Sequence, residues 1–360
     1  MPQKSSSNSR ASKPEQLAVD LFSGSGAVTA ALRRSRFRVI AAVDNDPIAC
    51  KTYRLNHPDV KLFENDITKL DPSEISKLQP PNVRPDVMVV CAPCQPFSSQ
   101  NRKRGSDPRS LLLLQCVRFA KELLPRCIVI ENVPGIASPS HRKILDRLRR
   151  ALSKIGYTLG DPRQVDAADL GVPQRRIRCV IVASRSPSAL KLFADATLKV
   201  KSTTVRDAIG HLPHLESGQN APNDILHRAR VHRPIALSRL AVIPRDGGSR
   251  VSLPDHLILK CHQDKDANAF PDVYGRMWWD RVAPTLTTGC DDITRGRFAH
   301  PDQDRAITLR EAALLQTFPA QYHFFGNRRQ VARQIGNAVP VRMFESLAPI
   351  LSSMALCKST

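Results

Sequence analysis

Four groups of residues in this 360-residue chain combine types and spacing that can do chemistry. The first is Cys91-Ala92-Pro93-Cys94-Gln95-Pro96-Phe97-Ser98, directly behind the apolar run DVMVV. Doubly wound sheets hold their ligands at the carboxyl ends of their strands, so a thiol placed there makes Cys94 a candidate nucleophile. A free thiol of pKa about 8.5 is only a few per cent thiolate at neutral pH and needs neighbouring donors or positive charge. The following loop QNRKRGSDPR, with Arg102, Arg104 and Arg109, supplies charge. Two other readings compete. A structural zinc site wants four ligands, and no second Cys-x-x-Cys pair occurs. A thioredoxin-like redox pair fits a Cys-x-x-Cys near βαβ units but explains neither the glycine turn nor the basic charge described next.

The second group is Glu131-Asn132, at the end of the apolar run CIVI. A carboxyl at that edge is a candidate general acid whose pKa partial burial would raise; taken alone it is also an ordinary helix cap or turn residue. The third is Gln174-Arg175-Arg176-Ile177-Arg178, ahead of the run CVIVAS. On a strand Arg176 and Arg178 share a face and offer two guanidiniums to one anionic or carbonyl group. The fourth is Asp20-Leu21-Phe22-Ser23-Gly24-Ser25-Gly26, followed by Val43-Asp44 at the end of the next strand. A glycine turn lets a cofactor approach the backbone, and a carboxylate about 20 residues on accepts from ribose hydroxyls. Thr29 stands where a dinucleotide fingerprint has its third glycine, so S-adenosylmethionine, with a ribose and no phosphate, fits better than NAD.

The elements that must position these groups follow from the patterning. From Leu17, short β-branched runs alternate with helical stretches through HRKILDRLRRALSKIG, and RCVIVAS closes the series. Strands separated by helices of that length predict βαβ units: an α/β, Rossmann-like, doubly wound sheet over residues 16–186. Beyond Pro187 the chain turns to Pro, Gly, His and Arg among short segments, which predicts a second, smaller, irregular or β-rich domain over 187–326. Near the end TLREAALLQTF, Thr308 to Phe318, and VPVRMFESLAPILSSMAL read as helical, with the basic segment GNRRQVARQIGNAVP between them; residues 327–360 form a C-terminal segment returning to the first domain, and the Ser-rich basic leader 1–15 reads as a disordered arm.

Composition narrows the function classes. Apolar residues make up 41% of the chain, enough for a sizeable core, and 54 Lys plus Arg against 33 Asp plus Glu leave a net charge of +21. That excess is the electrostatic footprint of a polyanionic partner, most simply nucleic acid. Nine cysteines, an odd number set mostly in apolar runs, fit reduced intracellular thiols, and no signal-peptide core or membrane-length apolar stretch occurs. The expectation is a cytoplasmic protein with no membrane partner. Six histidines between His211 and His262 lack ligand spacing with the cysteines, so no metal site is expected.

In order along the chain, DLFSGSG, the acidic strand end with its downstream NHP, NDI at Asn65 to Ile67, PCQPFS, IENVPG, QRRIR, LREAALLQTFP and QIGNAVP form eight blocks between Asp20 and Pro340. The sequence thereby resembles the cytosine carbon-5 DNA methyltransferases, in particular those of bacterial restriction-modification systems. The resemblance implies that Cys94 attacks carbon 6 of a flipped-out cytosine in double-stranded DNA, that Glu131 protonates or hydrogen-bonds N3, that Arg176 holds O2 and that Arg178 supports the pocket. It implies S-adenosylmethionine as methyl donor. Asp20, Phe22, Gly24, Gly26, Asp44, Asp66, Ile67, Pro93, Asn337 and Val339 would lie around it. Residues 187–326 become a target-recognition domain. DNA contacts are then expected from Ser98, Arg102, Arg104, Arg109, Arg245, Arg250, Arg276 and Thr287, with Lys260 and Gln263 as further candidates. The expected assembly is a monomer whose functional partner is a cognate restriction endonuclease.

Two departures stand out. Asp44 replaces a more usual Glu, one methylene longer, and Cys91-Ala92 replaces the usual small-residue and proline lead-in. A catalytically silent DNA-binding protein of the same fold and an RNA cytosine methyltransferase are the alternatives. The first is disfavoured by the presence of Cys94, Glu131 and Arg176, the second by the long recognition segment.

Overall fold

The structure is a computed structural model that describes residues 15–98, 107–263, 265–266 and 269–358. The basic leader, and Arg102 and Arg104, lie outside the described residues. Five parallel strands, β1 (Gln16–Leu21), β2 (Phe37–Asp44), β3 (Lys61–Glu64), β4 (Val87–Val90) and β5 (Cys127–Asn132), form the main part of the sheet. Side chains alternate between two cores: Val87 and Val89 go to one face and Met88 and Val90 to the other. Both faces are covered, which is why these strands read as continuous apolar runs rather than as alternation.

Helices α1 (Ala27–Arg34), α6 (Pro187–Asp195) and α11 (Val341–Leu356) pack on the first face. The second face is covered by α3 (Ser73–Ser76), α4 (Cys116–Leu123) and α5 (Arg142–Ser153), and α2 (Pro47–Asn56) follows β2. The strand order is β3-β2-β1-β4-β5-β8-β6, with β6 (Thr158–Leu159), β7 (Arg163–Asp166) and β8 (Ile177–Ser184). β8 enters antiparallel to β5, pairing Glu131 with Val180 and Asn132 with Cys179. Its amino end therefore lies beside the carboxyl end of β5. That reversal decides the site geometry.

The segment after β8 bears on expectation in two ways. First, α6 and α7 (Val205–Ile209) bury Ala189, Phe193, Val205 and Ile209 in the main core, and Ile307 and α9 (Leu309–Leu315) return to it. The separate small core, built from residues such as Leu240, Ile243, Tyr274 and Ile293, spans only 236–306. Second, of the two expected textures, irregular or β-rich, only the irregular one is present. Among the described residues of 187–326 there are short helices, including α8 (Pro234–Val242), and isolated bridges, but no named strand.

The physical reason lies in how the carbonyls are satisfied. Prolines interrupt any ladder, and guanidiniums take its place. Arg276, fully buried, donates to the carbonyls of Leu240, Ile243, His300 and Gln303 and pairs with Asp304. Arg305 is equally buried and grips both carboxylate oxygens of Glu311 at 2.8 and 2.7 Å. Arg250 is buried too and donates to the carbonyls of Asp266, Ala269 and Phe270. These bonds correct the expectation that Arg250 and Arg276 read DNA: both side chains are buried and turned to carbonyls of their own segment. Arg245 stays half-exposed but holds both oxygens of Asp304 at 2.6 and 3.0 Å.

Removing Arg276 leaves four buried carbonyls without this donor, while Asp304 keeps only Arg245. Arg276→Ala is expected to lower the unfolding free energy by about 3–5 kcal/mol, read as a fall in the urea midpoint. The exposed Arg329→Ala should stay within about 0.5 kcal/mol of wild type.

Candidate active site

A cavity of about 310 Å³ opens at the carboxyl ends of β1, β2, β4 and β5 and is closed from the far side by α10 (Arg328–Asn337) and the residues after it. At one end, Phe22, Gly24 and Asp44 line it together with Ile48 and Ala49 of α2. The Asp44 carboxylate is oriented by two backbone donors, Gly24 N–H to Oδ2 at 2.8 Å and Asp46 N–H to Oδ1 at 2.8 Å. Burial raises its pKa, and those two donors oppose the rise. Phe22 has φ 61°, a left-handed conformation costing an aromatic residue of order 1–3 kcal/mol, which the surrounding turn must hold in place. An apolar wall beside a carboxylate with lone pairs to spare suits a nucleoside: Phe22, Ile48 and Ala49 against a base, Asp44 toward ribose hydroxyls.

The other end of the same cavity is lined by Cys91, Pro93, Cys94, Glu131 and Arg178. Cys94 stands between β4 and a single tight turn, Gln95–Phe97, so the chain doubles back and leaves the thiol half-buried at the strand end. Asn132 secures this loop by donating from Nδ2 to the carbonyl of Ala92 at 3.0 Å. Glu131 is 6% exposed, and Arg178 Nε lies 3.0 Å from its Oε1. Burial raises the Glu131 pKa, with Arg178 and then Arg176 pulling it back. Burial likewise raises the Cys94 thiol above its ordinary 9.0. Glu131 adds to that rise, while Arg178 and Arg176 oppose it. Desolvation wins over the positive charge, so in the free protein Cys94 is a thiol rather than a thiolate at neutral pH.

Several expected site residues lie elsewhere. Arg176 and Arg178 have separate roles. Arg176 precedes β8, is buried, and donates from Nη1 to the Leu286 carbonyl at 3.0 Å and from Nη2 to the Gly336 carbonyl at 2.9 Å. Its Nη1 and Nη2 are bound to backbone and its buried Nε has no partner, and Arg176 is absent from the cavity lining where its expected contact with cytosine O2 would be made, whereas Arg178 is part of that lining. Asp20 alternates to the opposite face from Leu21, beneath the turn; burial raises its pKa to about 7, and Thr29 Oγ1 donates to it at 2.7 Å. Gly26 faces His57 and Tyr322 rather than the cavity, and its carbonyl lies 3.0 Å from His57 Nε2. Asp66 accepts from Thr68 N–H and Oγ1 in its own turn and, with the buried Ile67, lies outside the cavity lining. Asn337 and Val339 do line it.

The sequence reading missed Gln330, Arg333 and Gln334, which line the cavity from α10 on the same face as Asn337. Their spacing of three and four residues was the available signal. Arg333 Nη2 reaches Asp46 Oδ2 at 3.0 Å across the mouth. Of the residues expected to contact DNA, Ser98 follows the Cys94 turn, and Arg109 is half-exposed and paired with Asp107 at 2.6 Å. Thr287 is exposed at the tip of its loop. Among the described residues no cluster of three or more His, Cys, Asp or Glu could hold a metal, and no helix is long and apolar enough to cross a membrane.

Residues 17–352 match the family model described as C-5 cytosine-specific DNA methylase. This chain belongs to that family. The type II methylase M.HgiDII of Herpetosiphon aurantiacus is 38% identical over 335 residues, 92% of this chain and 93% of that protein. The type II methyltransferase M1.HphI of Haemophilus parahaemolyticus is 31% identical over 340 residues, 93% and 86% of the two chains. The crystal structure of an E. coli prophage protein assigned as a DNA modification methyltransferase superposes with a TM-score of 0.73 at 24% identity, covering 94% of this chain and 99% of that one. That likeness shows the shared fold. The chain is a DNA cytosine-5 methyltransferase by family, and the family implies use of S-adenosylmethionine.

The raised thiol has a direct consequence for this methylase. Alkylation by iodoacetamide requires thiolate, so at pH 7 the exposed Cys261 should react well before Cys94. The Cys94 rate should keep climbing beyond pH 9, followed by peptide mass spectrometry. A Cys94 rate that levels off below pH 8 would contradict the account given for its environment.

Proposed function

We propose that this protein is a site-specific methyltransferase acting on carbon 5 of a cytosine turned out of double-stranded DNA, through a covalent adduct of Cys94 with carbon 6. One observation carries this reading: a single cavity joins a carboxylate suited to a ribose, Asp44, to Cys94, Glu131 and Arg178 at its other end. Asp44, Phe22, Ile48 and Val339 would hold S-adenosylmethionine, which supplies an electrophilic methyl group when bound.

The rest is done by the chain's own residues on the base. Carbon 5 of cytosine is a poor nucleophile. As Cys94 gives up its proton to solvent water and its sulfur bonds to carbon 6, the ring gains an electron pair, and Glu131 delivers a proton to N3 and becomes a carboxylate. Its raised pKa favours carrying that proton. Arg178, 3.0 Å from Glu131, is positioned to donate to the carbonyl oxygen at position 2. Carbon 5 is now enamine-like and takes the methyl group. Glu131 takes back the N3 proton and the carbon-5 proton leaves to solvent water; the electron pair left on carbon 5 then breaks the carbon–sulfur bond, which restores the ring and returns Cys94. The base must leave the stack to be reached, at a cost of a few kcal/mol that pocket contacts offset.

Ser98, Arg109 and Thr287 belong to the surface we assign to DNA; Arg102 and Arg104, which lie outside the described residues, are assigned to it by sequence alone. The sequence read by the enzyme is set by the segment around the small core. The protein acts as a monomer in the cytoplasm, alongside the nucleoid, with a restriction endonuclease of the same specificity as functional partner.

Bisulfite sequencing of DNA from cells expressing the chain should reveal 5-methylcytosine at one recurring motif, absent when Cys94→Ser is expressed instead. In vitro, Cys94→Ser should keep cofactor binding and lose methyl transfer by orders of magnitude, whereas Cys91→Ser should matter much less. Asp44→Ala should weaken cofactor binding more than duplex binding. Near-normal turnover of Cys94→Ser, or methylation of transfer RNA in preference to duplex DNA, would sink the reading.

A further inference from the structure

Arg176 is a buried cation that touches no substrate in the chemistry above and acts there only through its charge, which opposes the rise of the Glu131 and Cys94 pKa values. Together with Gln174 and Gln316, both fully buried, it joins the Thr285–Gly289 loop to the last turn of α10. The Leu286 peptide is held at both ends: its N–H donates to Gln174 Oε1 at 2.9 Å and its carbonyl accepts from Arg176 Nη1 at 3.0 Å. From there two bridges run to the helix. Arg176 Nη2 donates to the Gly336 carbonyl at 2.9 Å. In parallel, Gln174 Nε2 donates to Gln316 Oε1 at 3.0 Å, and Gln316 Nε2 donates to the Ile335 carbonyl at 2.7 Å.

Ile335 and Gly336 sit in the final turn of α10, where carbonyls lack partners within the helix and a cation is favoured by the helix dipole. The loop and helix are also in direct backbone contact. A Cβ on Gly336 would come within 2.4 Å of the Thr287 carbonyl carbon and oxygen, so glycine is required for the approach. One residue beyond this joint the chain enters the cofactor cavity through Asn337, Ala338 and Val339, while Thr285, Thr287 and Thr288 face solvent on the loop.

We propose that Arg176 is a positioning residue which couples the two ligands, so that cofactor seated against Asn337 and Val339 and DNA seated against the Thr287 loop favour one shared arrangement of loop and helix. This rests on the placement of cofactor and DNA given under the proposed function. A guanidinium with no carboxylate hydrogen-bonded to it is an expensive way merely to fill space, since its burial costs several kcal/mol per ion before compensation. What it supplies that an apolar side chain cannot is a two-armed, directional link between a DNA-facing peptide and the helix that closes the cavity. Coupling of this kind is reciprocal, so either ligand should tighten the other by the same factor.

The test measures the affinity of S-adenosylhomocysteine with and without saturating duplex that carries the motif found by bisulfite sequencing, and the reverse. In wild type the two should tighten each other by at least about fivefold, the lower end of ordinary couplings. Arg176→Lys keeps the charge but cannot span two carbonyls, and its coupling factor should fall to about one. Gln316→Leu, which leaves the guanidinium and cuts the amide bridge, should reduce the factor in the same direction and decides the matter if Arg176→Lys does not fold by thermal melting. Unchanged coupling in a folded variant overturns the proposal, as does absence of coupling in wild type. So does a variant that retains coupling yet loses methyl transfer at saturating cofactor and duplex, because Arg176 would then be touching the base. If S-adenosylhomocysteine fails to bind the wild-type enzyme at all, it is the reading of the cavity that falls.

Discussion

The active end of this molecule depends on one contact, the 3.0 Å approach of Arg178 to Glu131 in a place that water barely reaches. A carboxyl buried on a strand end without a cation would stay neutral, and a guanidinium buried without an anion would be costly; each makes the other's position tenable. The contact exists because β8 runs antiparallel to β5, which brings the first residues of β8 to the edge where β5 ends. Cys94 then enters a small electrostatic system already in place. The Cys94 thiolate and the Glu131 carboxylate each disfavour the other's charge, so the two anions are not favoured together. A state with sulfur charged and Glu131 protonated avoids that repulsion and keeps the attraction of Arg178 for sulfur. Addition of a thiolate to a ring whose N3 needs a proton calls for that distribution.

Much of the architecture was legible because it is written in short-range pattern. Apolar runs of strand length alternate with helical ones, and Cys94, Glu131 and Asp44 each follow such a run, so their place at the carboxyl edge follows from strand polarity. What escaped depends on direction and on long-range partners. Nothing in QRRIRCVIVAS says that this strand runs backwards. The idea that Arg176 and Arg178 share a face assumed that both lie on the strand, whereas the strand begins at Ile177 and Arg176 turns to carbonyls more than 100 residues away. Asp20 reads like a member of the glycine turn, but alternation along β1 sends its side chain under the sheet toward Thr29. Arg333 was missed because a guanidinium on an exposed-looking helix carries no mark of the cavity beneath it.

The basic excess shows the same limit of composition. A net charge of +21 suggests a surface awash with phosphate-binding groups. Part of that charge never meets solvent, since Arg176, Arg250, Arg276, Arg297 and Arg305 are all buried and bound largely to main-chain carbonyls or acids of the fold. In the small core they act as the cross-links that strands would otherwise supply. A segment rich in proline cannot pair its own backbone along a ladder, and a five-donor planar group satisfies several carbonyls from one point. Of the two textures expected for this segment, irregular or β-rich, the structure has the irregular one for that reason: Arg250 and Arg276, counted as readers of DNA, are part of what holds the segment together.

The cofactor cavity, finally, is not the property of the sheet alone. Its walls come from residues 22–49, from Cys91–Gln95 with Glu131 and Arg178, and from residues 330–339, so it is complete only when the far end of the chain has docked. That docking is specific. Tyr322 donates from its hydroxyl to the Ser25 carbonyl at 2.6 Å, Phe325 N–H donates to Thr52 Oγ1 at 2.9 Å, and Asn56 bonds the His323 backbone on both sides at 2.8 and 3.0 Å. Left-handed Phe22 and Gly26 lie in the turn that Tyr322 and His57 brace from behind. Strained backbone persists where its surroundings over-determine it. Here part of the surroundings is local, His57 of the segment after α2, and part comes from Tyr322, almost 300 positions away, so the turn that lines the cavity is braced by the same far segment that leads into its closing wall.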